Sequence, residues 1–268
     1  MDYLFFSIVT VTLNSGDRLR ATSESLDRQT FGGWEHIIKD GGSSDGSQNQ
    51  VPAAANRRVL VSQDRGIFDA MNQALALCRG RYVLFLNAGD EFAATDVLAK
   101  VVDVARQSEA PFIYTDIFYR SAGVVRPYPN QLTRAYLYRQ IPCHQALYVQ
   151  KSIYSTFGGY DLGYPCLADP ELVLRLILSK QVKAVRCPVA GVMYEGGGFS
   201  STESFRRLAA VERRRLRGRY FTKKEQLVWG TRRYLLLQPM REWINHLYPN
   251  GPVARFNHWA TSLLNQHG

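Results

Sequence analysis

Asp40-Gly41-Gly42-Ser43-Ser44-Asp45-Gly46 and Asn87-Ala88-Gly89-Asp90 each place a carboxylate at the end of an apolar run. An aspartate in such a position can accept hydrogen bonds from a nucleobase N–H or a ribose hydroxyl. The glycines beside Asp40 let the backbone approach a ligand closely. Asp90 can hold a divalent cation that bridges a diphosphate, because Mg²⁺ prefers one or two carboxylates together with phosphate oxygens. Both segments also have an ordinary reading. The first can be a simple Gly/Ser/Asp turn and the second a turn or helix cap. The first segment is not a P-loop, since G-x-x-x-x-G-K-[ST] is absent, and it is not the dinucleotide fingerprint.

The elements around these residues decide between the readings. Phe5 to Val11 is a short apolar, β-branched run that suits a buried parallel strand. Asn14-Ser15-Gly16-Asp17 is a turn, and a helical stretch follows to about Arg28. Further strands are expected at Glu35–Asp40, Val59–Val61 and Tyr82–Leu86, with another opening at Phe112-Ile113-Tyr114. Helices are expected at Ile67–Leu77, stopped by Gly80, and at about Asp96–Gln107. Such alternation predicts an α/β fold with a mostly parallel sheet covered by helices. Ligands of such sheets bind beyond the carboxyl ends of the strands. Asn14, Asp40 and Asp90 all fall there. After Asp116 the alternation weakens. Tyr119–Pro129 reads as a hairpin around Ser121-Ala122-Gly123, and Ala168–Ser179, Glu203–Arg217 and Thr222–Leu237 read as helices.

Several ordered motifs resemble family 2 glycosyltransferases, especially their bacterial exopolysaccharide branch with the colanic-acid-type enzymes. They are Ser7-Ile8-Val9-Thr10, the Asp40–Gly46 segment, Asp64-Arg65-Gly66-Ile67-Phe68-Asp69-Ala70-Met71-Asn72, Gly80-Arg81-Tyr82, and Phe85-Leu86-Asn87-Ala88-Gly89-Asp90. The resemblance is strong over residues 4–92 and thinner to about 200. It implies a Rossmann-like GT-A fold, a nucleoside-diphosphate sugar donor, Mg²⁺ or Mn²⁺, and inversion at the anomeric carbon. It places Thr12 and Asn14 in the nucleotide pocket, Asp40 against the base, and Asp64 near base or ribose. Asp90 becomes the metal ligand, with Asn87 where many relatives carry the first acid of D-x-D. Leu167-Ala168-Asp169-Pro170-Glu171-Leu172 resembles the segment whose Asp deprotonates the acceptor hydroxyl, so Asp169 is the candidate base and Glu171 the second choice. An acid beside Pro170 is also a common helix start. His144-Gln145 resembles a family His-Gln pair, and His144 could orient acceptor or phosphate or be structural. Glu195-Gly196-Gly197-Gly198-Phe199-Ser200 resembles a loop that can act as a lid or as a plain linker.

The 268 residues are 46% hydrophobic, enough for a substantial core. Cys78, Cys143, Cys166 and Cys187 form no C-x-x-C pair, which argues against a zinc or redox site and for a reduced compartment. No run approaches the ~20 apolar residues of a membrane span, and the start lacks signal-peptide character. A cytoplasmic protein, peripheral on the inner face of the plasma membrane, is therefore expected. The net charge of +10 is uneven: residues 1–200 carry +1 and residues 201–268 carry +9. Arg206, Arg207, Arg213, Arg214, Arg215, Arg217, Arg219, Lys223 and Lys224 crowd one stretch, with Trp229, Trp243 and Trp259 following. Such a basic helical extension suits an anionic membrane surface, or simply a solvated helix face. Nucleic acid is not an expected partner, since no accompanying DNA- or RNA-binding motif is present.

The resulting expectation is a catalytic domain over 1–200 with a nucleotide-binding part to about 116, an acceptor part over 117–200, and a basic amphipathic helical extension over 201–268. Its activity would be an inverting transfer from a nucleoside-diphosphate sugar to a hydroxyl of a glycan or polyprenyl-diphosphate-linked acceptor in surface polysaccharide biosynthesis. The alternatives are a sugar nucleotidyltransferase and a membrane-associated binding protein with an inactive GT-A domain.

Overall fold

A computed structural model describes residues 4–194 and 203–230. The Gly-rich segment 195–200, the end of the last expected helix, Trp243 and Trp259 lie outside the described residues, as does the expected boundary near residue 200. In chain order the elements are β1 (Phe6–Thr12), α1 (Asp17–Asp27), β2 (Trp34–Asp40), β3 (Arg57–Val61), α2 (Ile67–Leu75), β4 (Tyr82–Phe85), β5 (Glu91–Phe92), α3 (Val97–Ser108), β6 (Phe112–Tyr119), β7 (Val124–Arg126), α4 (Arg134–Leu137), β8 (Leu147–Gln150), α5 (Lys151–Phe157), α6 (Ala168–Leu174), β9 (Ala184–Tyr194), α7 (Glu203–Tyr220) and α8 (Lys223–Gly230). A π-helical turn, Arg175–Ser179, continues α6.

The sheet runs β3-β2-β1-β4-β8-β6-β9-β5, with β7 added to β6. β1 pairs parallel with β2 and β4, β2 with β3, and β6 with β9. Every residue of β1 and β2 is buried, which is why these strands read as continuous runs rather than alternating ones. One insertion departs from the simple βα alternation. β8 is antiparallel to both β4 and β6, so its N-terminal end lies beside the C-terminal end of β4. After Asp45-Gly46 the chain forms only a 3₁₀ turn, Ser47–Gln50, before β3.

Some motif residues serve packing at the far end of the strands. A Cβ on Gly80 would come within 2.4 Å of the Phe6 carbonyl carbon, so only glycine fits where this chain crosses β1. Nearby, buried Glu35 accepts from Ser7 Oγ at 2.7 Å and from the Arg79 amide at 2.7 Å. Its carboxyl is held below the usual range by these bonds and the Arg79 charge, which outweigh the opposing effect of burial. His36, wholly buried between Thr10 and Arg57, is pushed down to about 3 by burial first and by the Arg57 charge second.

The chain divides into two compact units, Met1–Leu132 with Ile141–Arg213, and Thr133–Gln140 with Arg214–Gly268. In the second unit Arg134 donates to both oxygens of Glu225, at 2.7 and 2.9 Å. Tyr138, Phe221 and Trp229 form an aromatic cluster there. Trp229 is only 3% exposed, so its place is this cluster and not a membrane-facing belt. Arg217 likewise lies 4.4 Å over the Tyr138 ring. The remaining cations of the stretch, Arg206, Arg207, Arg213, Arg214, Arg215, Arg219, Lys223 and Lys224, are exposed. Among the described residues no helix is long and apolar enough to cross a membrane.

Candidate active site

The ends of β1, β2 and β3 build one half of the site. Asp40 ends β2 and is fully buried. Its Oδ1 accepts from the amides of Gly42 and Ser43 at 2.7 and 2.6 Å, which folds the Gly-Gly-Ser loop around the carboxylate. Its Oδ2 is buried with no partner. Asn14, at the end of β1, has φ 51°. Its Oδ1 accepts from the Ser44 amide at 2.9 Å, and its own amide donates to Ser43 Oγ at 2.8 Å. Thr12 donates to Ser15 Oγ at 2.6 Å. The first loop and the Asp40 loop are thus stitched together, with Gly16 N donating to Asp45 Oδ2 at 2.9 Å.

Lys39 was not among the residues expected here, and it organises this half. Its ammonium is fully buried. It donates to the carbonyls of Asp40 and Ser62 and to Asp64 Oδ2, the last at 2.8 Å. A buried ammonium needs such partners, and meeting that need fixes Asp64 beside the end of β2. The other Asp64 oxygen accepts from Gly66 N at 3.1 Å. The available sequence signal is the lysine itself, standing between Ile38 and Asp40 in an otherwise buried strand.

The second half forms where β4 meets the inserted β8. The loop after β4 is held by Thr22 of α1, whose hydroxyl accepts from Gly89 N at 2.9 Å and donates to the Asp90 carbonyl at 2.8 Å. A 3₁₀ turn, His144–Ala146, leads into β8 and delivers two side chains to that loop. Gln145 Nε2 donates to Asp90 Oδ2 at 3.1 Å. Asn87 Nδ2 lies 2.9 Å from His144 Nε2, and His144 Nδ1 lies 3.4 Å from Asp169 Oδ2. With the Asn87 amide donating to Nε2, the imidazole proton sits on Nδ1 and points at the Asp169 carboxylate. The antiparallel insertion therefore brings Asn87, Asp90, His144 and Asp169 to one place. Asp90 is 7% exposed. Burial raises its carboxyl to about 6, against the smaller opposing pulls of His144, Gln145 and the Asn87 backbone.

Two features of this corner fit a hard cation. Asp90 is a desolvated carboxylate with a single side-chain donor, and Asn87 Oδ1 is buried with no partner. Among the described residues no group of three or more His, Cys, Asp or Glu side chains gathers at ligand spacing. A cation here would take most of its oxygens from phosphate and water, which is the habit of Mg²⁺.

The segment carrying Asp169 is held from several sides. Asn72 donates to the Tyr160 carbonyl and accepts from its amide, both at 2.9 Å. Glu171, the second candidate base, is fully buried and accepts from Arg175 Nε at 3.0 and 3.2 Å. Arg175 in turn donates to the carbonyls of Phe157 and Gly159. Glu171 is thus committed to Arg175, whereas Asp169 faces His144.

The fold is the GT-A fold, shared with the solved structures below, and acidic and amide side chains gather at the carboxyl ends of its strands. Residues 7–161 match the family model described as glycosyl transferase family 2. The chain belongs to that family and is a glycosyltransferase, which displaces the nucleotidyltransferase alternative. It is 33% identical over 204 residues to a PGL/p-HBAD biosynthesis glycosyltransferase of Mycobacterium tuberculosis, covering 74% of this chain and 79% of the relative. It is 26% identical to an Escherichia coli protein named UDP-Glc:alpha-D-GlcNAc-diphosphoundecaprenol beta-1,3-glucosyltransferase, covering 75% of this chain and 82% of that one. Among solved structures, residues 1–349 of S. aureus TarS with UDP-GlcNAc superpose with TM-score 0.57 at 16% identity, over 77% of this chain and 65% of that one. A mannosyltransferase from Pyrobaculum calidifontis with GDP-Man and Mn²⁺ superposes with TM-score 0.59 at 12% identity, over 96% and 79%. The chain spans 39% of a further TarS structure.

Proposed function

We propose that the enzyme transfers a sugar from a nucleoside-diphosphate sugar to a hydroxyl of a glycan or polyprenyl-diphosphate-linked acceptor, with inversion, in surface polysaccharide synthesis of the exopolysaccharide type. The observation that carries this reading is the contact chain Asn87–His144–Asp169 beside Asp90 at the carboxyl edge of the sheet. The names of the relatives support it: one names a UDP-sugar donor with a diphosphoundecaprenol-linked acceptor, and one neighbour holds GDP-Man with Mn²⁺.

The donor nucleotide lies over the ends of β1 to β3. The unpartnered Asp40 Oδ2 accepts a base N–H, while Thr12, Asn14 and Asp64 line base and ribose. Asp90, with Asn87 Oδ1, would hold Mg²⁺ or Mn²⁺. The bound cation supplies neutralising charge for the leaving diphosphate. Asp169 takes the proton from the acceptor hydroxyl as that oxygen attacks the anomeric carbon from the face opposite the nucleotide. The bond from the anomeric carbon to the diphosphate oxygen breaks, and its electron pair leaves with the nucleotide. His144 turns Nδ1–H toward Asp169 Oδ2 at 3.4 Å, a long contact that favours the ionised base without fixing its position. The exposed cations of α7 and α8 suit the anionic inner leaflet, where a lipid-linked acceptor would be presented. Membrane-side presentation here rests on those cations, not on Trp229.

The test is a cell-free transfer assay with a panel of sugar nucleotides and polyprenyl-diphosphate-linked sugars. The product is expected to carry the anomeric configuration opposite to that of the donor. Asp169→Asn is expected to lower kcat by about 10²–10⁴-fold while nucleotide affinity stays intact. Near-normal turnover by Asp169→Asn would overturn the base assignment, and a retained configuration would overturn inversion.

A further inference from the structure

We propose that Glu212 of α7 is a positioning residue for the transfer step, acting through the backbone that carries Asp169. The inference rests on the reading of Asp169 as the base. Glu212 is 5% exposed. Its Oε2 accepts from the amides of Leu167 and Cys166 at 2.8 and 3.1 Å, and its Oε1 lies 3.3 Å from the Cys166 amide. Both residues belong to the same compact unit as Asp169.

α6 has no capping side chain of its own. The residue before its first turn is Leu167, whose side chain offers no acceptor. Glu212, from a distant part of the chain, instead holds the two amides just ahead of the helix, those of Cys166 and Leu167. Bonds from amides to a carboxylate are shorter and stronger than neutral ones, and here they fix the backbone immediately ahead of Asp169. The preceding loop is already held from within the nucleotide-binding half and by α6 itself. Asn72 grips Tyr160, and Arg175 grips the carbonyls of Phe157 and Gly159. Glu212 completes the clamp at the end nearest the base.

The need for a clamp follows from Asp169's own surroundings. Its contact with His144 is long, 3.4 Å, and too weak to set the carboxylate's position alone. The backbone must set it, and a misplacement of about 1 Å can lower a rate by about 10²-fold. α7 therefore contributes to the transfer site although it begins beyond residue 200, the boundary expected for the catalytic domain.

The experiment compares Glu212→Ala, Glu212→Gln and Asp169→Asn in the full chain, measuring kcat, donor KM, nucleotide Kd and Tm. Glu212→Ala is expected to lower kcat by about 10–100-fold, with donor KM and nucleotide Kd within about twofold of wild type. Glu212→Gln keeps the length and an acceptor oxygen and is expected to recover most of the rate. Adding Glu212→Ala to Asp169→Asn is expected to lower the residual rate no further. Where the alanine variant yields no folded protein, Glu212→Asp carries the test: it shortens the reach, and a lowered kcat at unchanged donor KM supports the inference. Inactive Asp169→Asn together with wild-type kcat in the folded Glu212 variant overturns the positioning role alone. Normal turnover by Asp169→Asn overturns the base reading and this inference with it. A fall in donor affinity that accounts for the whole rate loss also overturns it.

Discussion

The two halves of the site treat their buried charges in opposite ways. At the ends of β2 and β3, Lys39 has three acceptors, Asp64 has two donors and Asp40 Oδ1 has two amides. At the junction of β4 and β8, Asp90 has one side-chain donor, Asn87 Oδ1 has none, and Asp169 meets His144 only at 3.4 Å. Burying a charge with few partners is unfavourable, so the placement of Asp90 persists against stability, while Asp169 is only partly buried. The first half is a cradle largely satisfied from within, with the buried Asp40 Oδ2 left without a donor. The second is electrostatically incomplete and suits a ligand that brings its own charge. Under the proposed function, the contrast separates nucleotide recognition from chemistry.

The comparison breaks if mutations in the two halves have the same consequences. The largest expected effect is on the rate. Asp90→Asn should lower transfer by about 10²–10³-fold while the protein stays folded, as read by initial rates and circular dichroism. Next is Lys39→Met, which leaves a buried carboxylate contact and two carbonyls without their donor. It should lower unfolding stability by about 2–4 kcal/mol in urea titrations, and weaken nucleotide binding by loosening Asp64. A Lys39→Met protein as stable as wild type would mean that the cradle is not held by this ammonium.

The smallest effect has the opposite sign and sharpens the contrast. The Asp90 carboxyl stands at about 6 in the folded protein against an ordinary value of 3.8. The folded state then binds more protons than the unfolded state between those values, so this group's contribution falls as pH rises through them. In the metal-free protein at pH 7.5, Asp90→Asn should therefore raise stability by about 1–3 kcal/mol. That advantage should shrink as pH drops through 6 and vanish near 4. A destabilised Asp90→Asn at pH 7.5 would show that the carboxylate is satisfied after all.

Much of the cradle was legible in the sequence because it follows local rules. Runs such as Phe6–Thr12 and Trp34–Asp40 announce buried parallel strands, and polar residues at their ends point at a ligand. The second half was legible only in pieces. Asp90, His144 and Asp169 stand out singly, but their meeting depends on β8 entering antiparallel between β4 and β6, a long-range pairing that no local period encodes. Asp169 stood ahead of Glu171 by resemblance alone, and the burial of Glu171 against Arg175 is a packing feature that the sequence does not display. Lys39 and Thr22 act through contacts distant in sequence and escaped notice for that reason, and Gln145 stood out only as the neighbour of His144. Trp229 misled because a tryptophan among cations suits a membrane surface as well as it suits the small core it occupies.

The most direct measurement is thermal unfolding of wild type and Asp90→Asn against nucleoside diphosphates and their sugars, with and without Mn²⁺. A ligand that binds only the folded state must raise stability, by about 2.7 kcal/mol at one hundred times its Kd. The account predicts a rise with one nucleotide that grows with Mn²⁺ in wild type and loses its Mn²⁺ dependence in Asp90→Asn. No rise with any nucleotide, or a Mn²⁺-dependent rise undiminished in Asp90→Asn, would contradict it.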